Sequence, residues 1–284
     1  MDREQQTFLP GPGERSKNAC HCQPRDVPDR AEARRLRARL QRRVRQAVSR
    51  FSLVEPGDRV LVAFSGGKDS FTMLDMLLWW RRHCGQRFDL LAVHVDHGFG
   101  GPLAGQVEEF LATQPISYRV VTTSIAAIIE GKLQPGKRAC SLCSRLRRGV
   151  LYRLAPELGC NKIALGHHAD DLIETLLLNL MYTGQIKSMP PLLVSDDGRN
   201  RVIRPLVLVD ERDTGAWAAW RGYLPRCCNC PACGQRDNPQ RRVVKRLVEQ
   251  LQQRCPRVRA NILRAHGRVV PELLLGCENG KLPA

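Results

Sequence analysis

The sequence predicts an α/β fold, a parallel sheet with helices on both faces. Two observations carry that expectation. Short runs rich in Val, Leu and Ile, "RVLVAF", "LLAVHV", "YRVVTT" and "KIALG", recur along the chain, each compatible with a strand buried on both sides. Segments of helical periodicity lie between them, and that alternation calls for parallel strands joined by crossover helices.

Taken in order, residues 1–25 mix Pro, Gly and polar residues without periodicity and read as a disordered tail, in which Cys20 and Cys22 are an incidental thiol pair. Residues 26–55 form a basic amphipathic helix: Leu36, Leu40, Val44, Ala47 or Val48, and Phe51 make one docking stripe, with arginines between them. "EPGD" at 55–58 is a turn. The strand at 59–64 follows, then the stretch Ser65-Gly66-Gly67-Lys68-Asp69-Ser70, then a helix from about Ser70 with Phe71, Leu74 and Leu77 or Leu78 as its apolar face. Strands are expected at 90–95 and 118–123, a helix after Cys143, a strand at "KIALG" and a helix over Asp171–Tyr182. "RVIRPL" is a further strand candidate, and helical patterns recur at 214–223 and 239–253. The expected division is a core domain over 56–225 and a C-terminal helical segment over 226–284.

The 284 residues suffice for a real core, and 43% are hydrophobic, an ordinary share. No apolar run reaches membrane-spanning length and the N-terminus lacks an apolar signal region, so a cytoplasmic protein with no membrane partner is expected. A formal charge of +17 favours a polyanionic partner. Ten arginines against three acids fall between Arg25 and Arg50, which points to nucleic acid more than to a membrane surface. Twelve cysteines in such a chain suggest metal ligation, thiol chemistry or burial rather than disulfides. Cys140 and Cys143 form one C-x-x-C pair, Cys230 and Cys233 another, nearly ninety residues on; Cys84, Cys160, Cys255 and Cys277 stand alone. Spacing by itself leaves structural zinc and an iron–sulfur cluster both open.

The Gly-Gly-Lys stretch is a phosphate loop by position and chemistry. Glycines let backbone N–H groups approach phosphate oxygens, the helix start favours negative charge, and Ser65, Lys68 and Ser70 add donors. It lacks the Walker spacing. The Ser-Gly-Gly-x-Asp-Ser string resembles the loop of the N-type ATP pyrophosphatases (PP-loop proteins), whose fold is a Rossmann-like parallel sheet. That resemblance implies that Ala63, Ser65, Gly66, Gly67, Lys68, Asp69 and Ser70 hold ATP through its pyrophosphate part. It also gives Asp69 to magnesium, which prefers carboxylate oxygen. "LGHHADD" from Leu165 resembles the second nucleotide element of the same group and implies Gly166, Asp170 and Asp171. Helix capping is the alternative for the two aspartates, and His167 and His168 are pocket or packing residues.

"CSLCSRLRRG", "LGHHADD", "SMPPLLVSDDG", "VIRPL" and "CPACGQRDNPQRR" together resemble the tRNA 2-thiocytidine biosynthesis family, over most of the chain. The resemblance implies a [4Fe-4S] cluster on Cys140, Cys143 and Cys230, which with Asp69 make the catalytic set. An iron left without a protein ligand can then take sulfur. The implied reaction thiolates cytidine 32 of tRNA, which opens the anticodon loop, to 2-thiocytidine: ATP adenylates the C2 oxygen, sulfur attacks C2, and AMP leaves. A cysteine desulfurase or other persulfide donor and a homodimer are implied as well. Arg147 or Arg148 is placed on phosphate, "RRVVKR" at 241–246 on the tRNA backbone, and His94 and Asp96 beside the nucleotide. Cys227 and Cys228 depart from the family pattern and read as spare thiols. The competing readings are a tRNA 2-thiouridine synthase of the same group, a lysidine synthetase, and a non-catalytic zinc protein that binds RNA.

Overall fold

The computed structural model describes residues 27–132, 139–223, 225, 230, 239–270 and 273. The chain divides into two compact units, one of 1–168 with 190–236 and the other of 169–189 with 237–284. The second thus takes a helix from the middle of the expected 56–225 segment. Cys20, Cys22, Cys227, Cys228, Cys233 and Cys277 lie outside the described residues.

The first unit opens with α1 (Arg30–Arg50), set by Asp29, whose carboxylate accepts from the Glu32 amide at 2.7 Å while Glu32 reaches back to the Asp29 amide at 3.1 Å. This reciprocal capping box satisfies two amides that a helix start leaves open. Ala33, Leu36, Leu40, Val44, Ala47 and Val48 are buried along one stripe. Phe51, expected to close that stripe, is instead the half-buried residue after the last turn.

The sheet has the order β3-β2-β1-β4-β6-β5, from β1 (Arg59–Ala63), β2 (Asp89–Asp96), β3 (Ser117–Thr122), β4 (Lys162–Ala164), β5 (Leu192–Val194) and β6 (Arg201–Ile203). All neighbours run parallel except β5, which pairs antiparallel with β6 at the edge. The chain winds one way from β1 to β3 and the other way from β4 to β6. The direction therefore reverses between β1 and β4, where open α/β sheets form their ligand crevice.

Helices α2 (Lys68–His83), α3 (Leu103–Ala112), α4 (Ile125–Lys132), α5 (Ala139–Glu157) and α7 (Glu211–Trp220) complete this unit. On one face Phe64 stacks on Phe110 at 5.5 Å and Phe71 on Tyr223 at 4.2 Å. On the other, Leu91, Val93 and Val95 pack with Ile125 and Ile129 of α4 and Leu151 and Leu154 of α5. Burial on α2 exceeds the predicted stripe, because Met73 and Met76 are buried too. Both α1 and α7 pack on α2, so little of its outer face is left for water. Neither α3 nor α4 was legible, each being short and close to the strand before it.

The second unit contains α6 (Ala169–Thr183), α8 (Pro239–Arg254) and α9 (Val258–Ala265). Its core is small: Ile173, Val244 and Val248, with Leu177, Leu178, Ile262 and Leu263 against them. Among the described residues no helix is long and apolar enough to cross a membrane.

Candidate functional site

The site begins where β1 ends. Gly66 sits at φ +79°, a left-handed conformation that side chains rarely adopt, and it turns the chain into α2. That helix starts at Lys68, two residues earlier than predicted, so Lys68 and Asp69 lie in its first turn. Gly67 is the cap residue and receives no side-chain capping bond. Its amide points at Ser65 Oγ, 3.4 Å away, a distance too long for a strong bond. Ser70 Oγ donates to the Gly67 carbonyl at 2.9 Å and is met by Ser65 Oγ at 3.2 Å. Two hydroxyls, loop amides and a helix start together form a cradle for an anion.

The segment after β4 closes the crevice. A Cβ on Gly166 would lie 3.2 Å from the Asp69 carbonyl carbon and 3.3 Å from the Ser70 nitrogen. These are backbone atoms that cannot swing aside, so Gly166 is required by the close approach. His168, buried, brings Nε2 within 3.9 Å of Asp69 Oδ1.

Lys68 is held between two carboxylates, at 2.9 Å from both Asp69 oxygens and 3.3 Å from Glu211 Oε1. Burial by itself would lower the pKa of this ammonium; Asp69 and Glu211 outweigh that and hold it above its ordinary value. Thr214 Oγ1 lies 2.6 Å from Asp69 Oδ1, and Tyr223 OH donates to the Gly66 carbonyl at 3.0 Å. Helix α7 is itself pinned by Arg39 of α1, which makes two bonds of 2.7 and 2.8 Å to the buried Asp213, and by Trp217 Nε1 on Asp75 at 2.7 Å.

At the end of β2, His94 donates Nδ1–H to the Phe64 carbonyl at 2.8 Å. Burial pushes its pKa below the ordinary value, the Arg147 guanidinium adds to that, and the Phe64 bond and Asp96 oppose it. The buried Nε2 makes no hydrogen bond among the described residues; in the neutral ring it carries the lone pair. The guanidinium of Arg147, in the third turn of α5, thus acts on this end of the sheet.

Cys140 lies in the first turn of α5 and Cys143 at the start of the second, within the helix rather than before it. Three residues apart, they share one helix face; Cys140 is exposed and Cys143 half-buried. Cys230, half-buried, belongs to the same unit. Thiols of this kind suit zinc or iron–sulfur ligation. Among the described residues, though, no three His, Cys, Asp or Glu side chains converge as a metal site.

The structure therefore brings Ala63, Ser65 to Ser70 and Gly166 together around the β1/β4 crevice and puts Arg147 and the three cysteines in the same unit. Asp170 and Asp171 belong to the second unit. There Asp170 pairs with Arg259, and Asp171 and Glu174 with Arg241 at 3.2 and 2.7 Å. Burial raises the Glu174 carboxyl above its usual range, against Arg241. Arg241 thus turns to carboxylates of its own unit, while Arg242, Lys245 and Arg246 of the same run are exposed. Sequence reading missed Glu211, Thr214 and Tyr223; each meets the loop across more than 140 residues, and no local motif marks them.

Residues 36–223 match the PP-loop domain family. The chain is 45% identical to the tRNA-cytidine(32) 2-sulfurtransferase of Verminephrobacter eiseniae, over 94% of this chain and 83% of that one. It is 44% identical to the protein of that name from Geobacter sulfurreducens, over 86% and 95%. Among solved structures it resembles the U34-tRNA thiolase NcsA from Methanococcus maripaludis with its [4Fe-4S] cluster. The TM-score is 0.68 and the identity 23%, over 87% of this chain and 84% of that one, a likeness of fold.

Proposed function

The chain belongs to the PP-loop domain family and, within it, to the tRNA-cytidine(32) 2-sulfurtransferases, and from that membership we propose that it thiolates cytidine 32 of tRNA at the expense of ATP. The observation that carries the reading is the cradle at the β1/β4 crevice, set in one unit with Cys140, Cys143 and Cys230. In the proposed reaction the cytidine C2 oxygen attacks the α-phosphorus of ATP and pyrophosphate departs. Sulfur then bonds to C2 at the sulfide level, a second thiolate having supplied the two electrons that free it from the persulfide donor and ending as a disulfide, and the C2–oxygen bond breaks with release of AMP.

This chain's residues divide that work. The amides of Gly66 to Lys68 and the hydroxyls of Ser65 and Ser70 receive the pyrophosphate part, with Ala63 and Gly166 as close-packed walls. Lys68 leaves its carboxylates for a phosphate oxygen, and Asp69 faces a magnesium ion. Arg147 balances phosphate charge; His94 offers an acceptor at the edge of the crevice. Asp170 and Asp171 remain proposed for the nucleotide side. Cys140, Cys143 and Cys230 would hold a [4Fe-4S] cluster, whose open iron position supplies a place for sulfur. The tRNA would be drawn to α1: among the described residues Arg39 alone of its nine arginines pairs with a carboxylate, and the helix offers its exposed arginines to phosphates. A persulfide donor such as a cysteine desulfurase, a homodimer and a cytoplasmic setting complete the proposal.

The test is iron and acid-labile sulfide content of protein purified without oxygen, read beside 2-thiocytidine in tRNA. Wild type and Cys227→Ala are expected to hold about four irons and four sulfides, and Cys140→Ala and Cys230→Ala to lose both metal and product. One zinc per chain with no sulfide would remove the cluster and leave an adenylating enzyme fed by a persulfide.

A further inference from the structure

Thr214 is fully buried, yet its hydroxyl is aimed at the one carboxylate of the phosphate loop. Two acceptors compete for its single proton: Asp69 Oδ1 at 2.6 Å and the Glu211 carbonyl at 2.8 Å. The charged, closer oxygen wins, because a bond to an ionised acceptor is roughly twice as strong. We infer that Thr214 is a positioning residue for Asp69: its hydroxyl binds Oδ1 and so fixes Oδ2 as the oxygen that meets the divalent cation. The inference rests on the reading of Asp69 as the metal-facing residue.

The surroundings supply the rigidity such a role needs. Lys68 touches both oxygens of Asp69 and must leave them if it is to reach a phosphate. Thr214 has no such competing duty, and stays. Its helix cannot drift, since Arg39 grips the neighbouring Asp213 and Trp217 is bonded to Asp75 of α2. Thr72 Oγ1, from α2, also lies 3.3 Å from the Thr214 carbonyl, so the backbone that carries the hydroxyl is held against the helix that carries Asp69. A partner that orients a metal-facing group typically changes metal affinity 10- to 100-fold.

The experiment compares dissociation constants for Mg·ATP and for ATP in EDTA, with thermal midpoints of the nucleotide-free proteins alongside. The readout is the constant for ATP in EDTA divided by that for Mg·ATP, because a merely structural defect moves both together. Thr214→Val is expected to lower the ratio about tenfold and Thr214→Ser to restore it to within about twofold, with Asp69→Asn collapsing it towards one. Thr214→Ala serves in place of the valine variant should that one melt early. If the hydroxyl-free variants keep the wild-type ratio while Asp69→Asn loses it, the positioning role is wrong and the loop reading stands. An unchanged ratio in Asp69→Asn would overturn both.

Discussion

Each end of β1 carries a lysine between two carboxylates, and the two triads behave differently. At the amino end Lys162 lies 2.8 Å from Glu55 and 2.7 Å from Asp58, with its side chain 1% exposed. Asn161 and the Glu55 amide take two more of the Asp58 lone pairs, at 2.7 and 2.6 Å. At the carboxyl end Lys68, 24% exposed, lies between Asp69 and Glu211, beside loop amides and hydroxyls with few partners of their own. The first triad is a sealed clamp tying β4 to the turn before β1. The second is open to a ligand. Chemistry alone does not separate structural ion pairs from functional ones; completion of the hydrogen-bond set and place on the sheet do.

Breaking the two triads should give opposite signatures. Lys162→Met strands a buried carboxylate and is expected to cost about 3 kcal/mol of unfolding free energy, the low end for a buried pair because Glu55 is half exposed. Lys68→Met should shift the denaturation midpoint little while removing most of the thermal protection given by Mg·ATP. Denaturant unfolding with and without nucleotide checks both, and equal destabilisation by the two substitutions would erase the distinction.

Acid sharpens the comparison from another side. Burial would raise the Asp58 carboxyl, but bonds from Lys162, the Glu55 amide and Asn161 outweigh it and hold the pKa below its ordinary 3.8. A depressed carboxyl gives stability that is complete above the ordinary value and is lost as pH falls through the folded one. The raised Lys68 works in reverse: its contribution is whole below its ordinary 10.5 and disappears as pH climbs through the folded value. Stability measured below pH 4 should therefore fall more steeply in wild type than in Asp58→Asn, with Lys68→Met tracking wild type there.

The smallest effects belong to charges that close no triad. Arg34, Arg42 and Arg43 are exposed on α1. Changing each to Gln should leave the thermal midpoint unmoved and cut the slope of log affinity for tRNA against log salt by about 0.7–0.9 per contact. An unchanged slope in the triple variant would move the RNA surface off this helix.

The amino-acid order by itself determined five of the six strands, the loop and the family. Those features are local: β1 is a contiguous apolar run, Gly66 must turn where it stands, and Ser65 to Ser70 build the cradle from one strand-to-helix junction. The family resemblance rested on strings of that kind and is borne out by relatives about 45% identical over most of the chain. Short helices were harder to read. Neither α3 nor α4 has room for enough turns to show a clear period, and the three-residue β5 pairs only because β6 lies beside it. Only the tertiary structure decided that α7, read as a helical pattern over 214–223, places Glu211 and Thr214 on the phosphate loop. The reason is that a carboxylate or a hydroxyl takes its role from its bonding partner, and these partners lie more than 140 residues away in the chain and within about 3 Å in space.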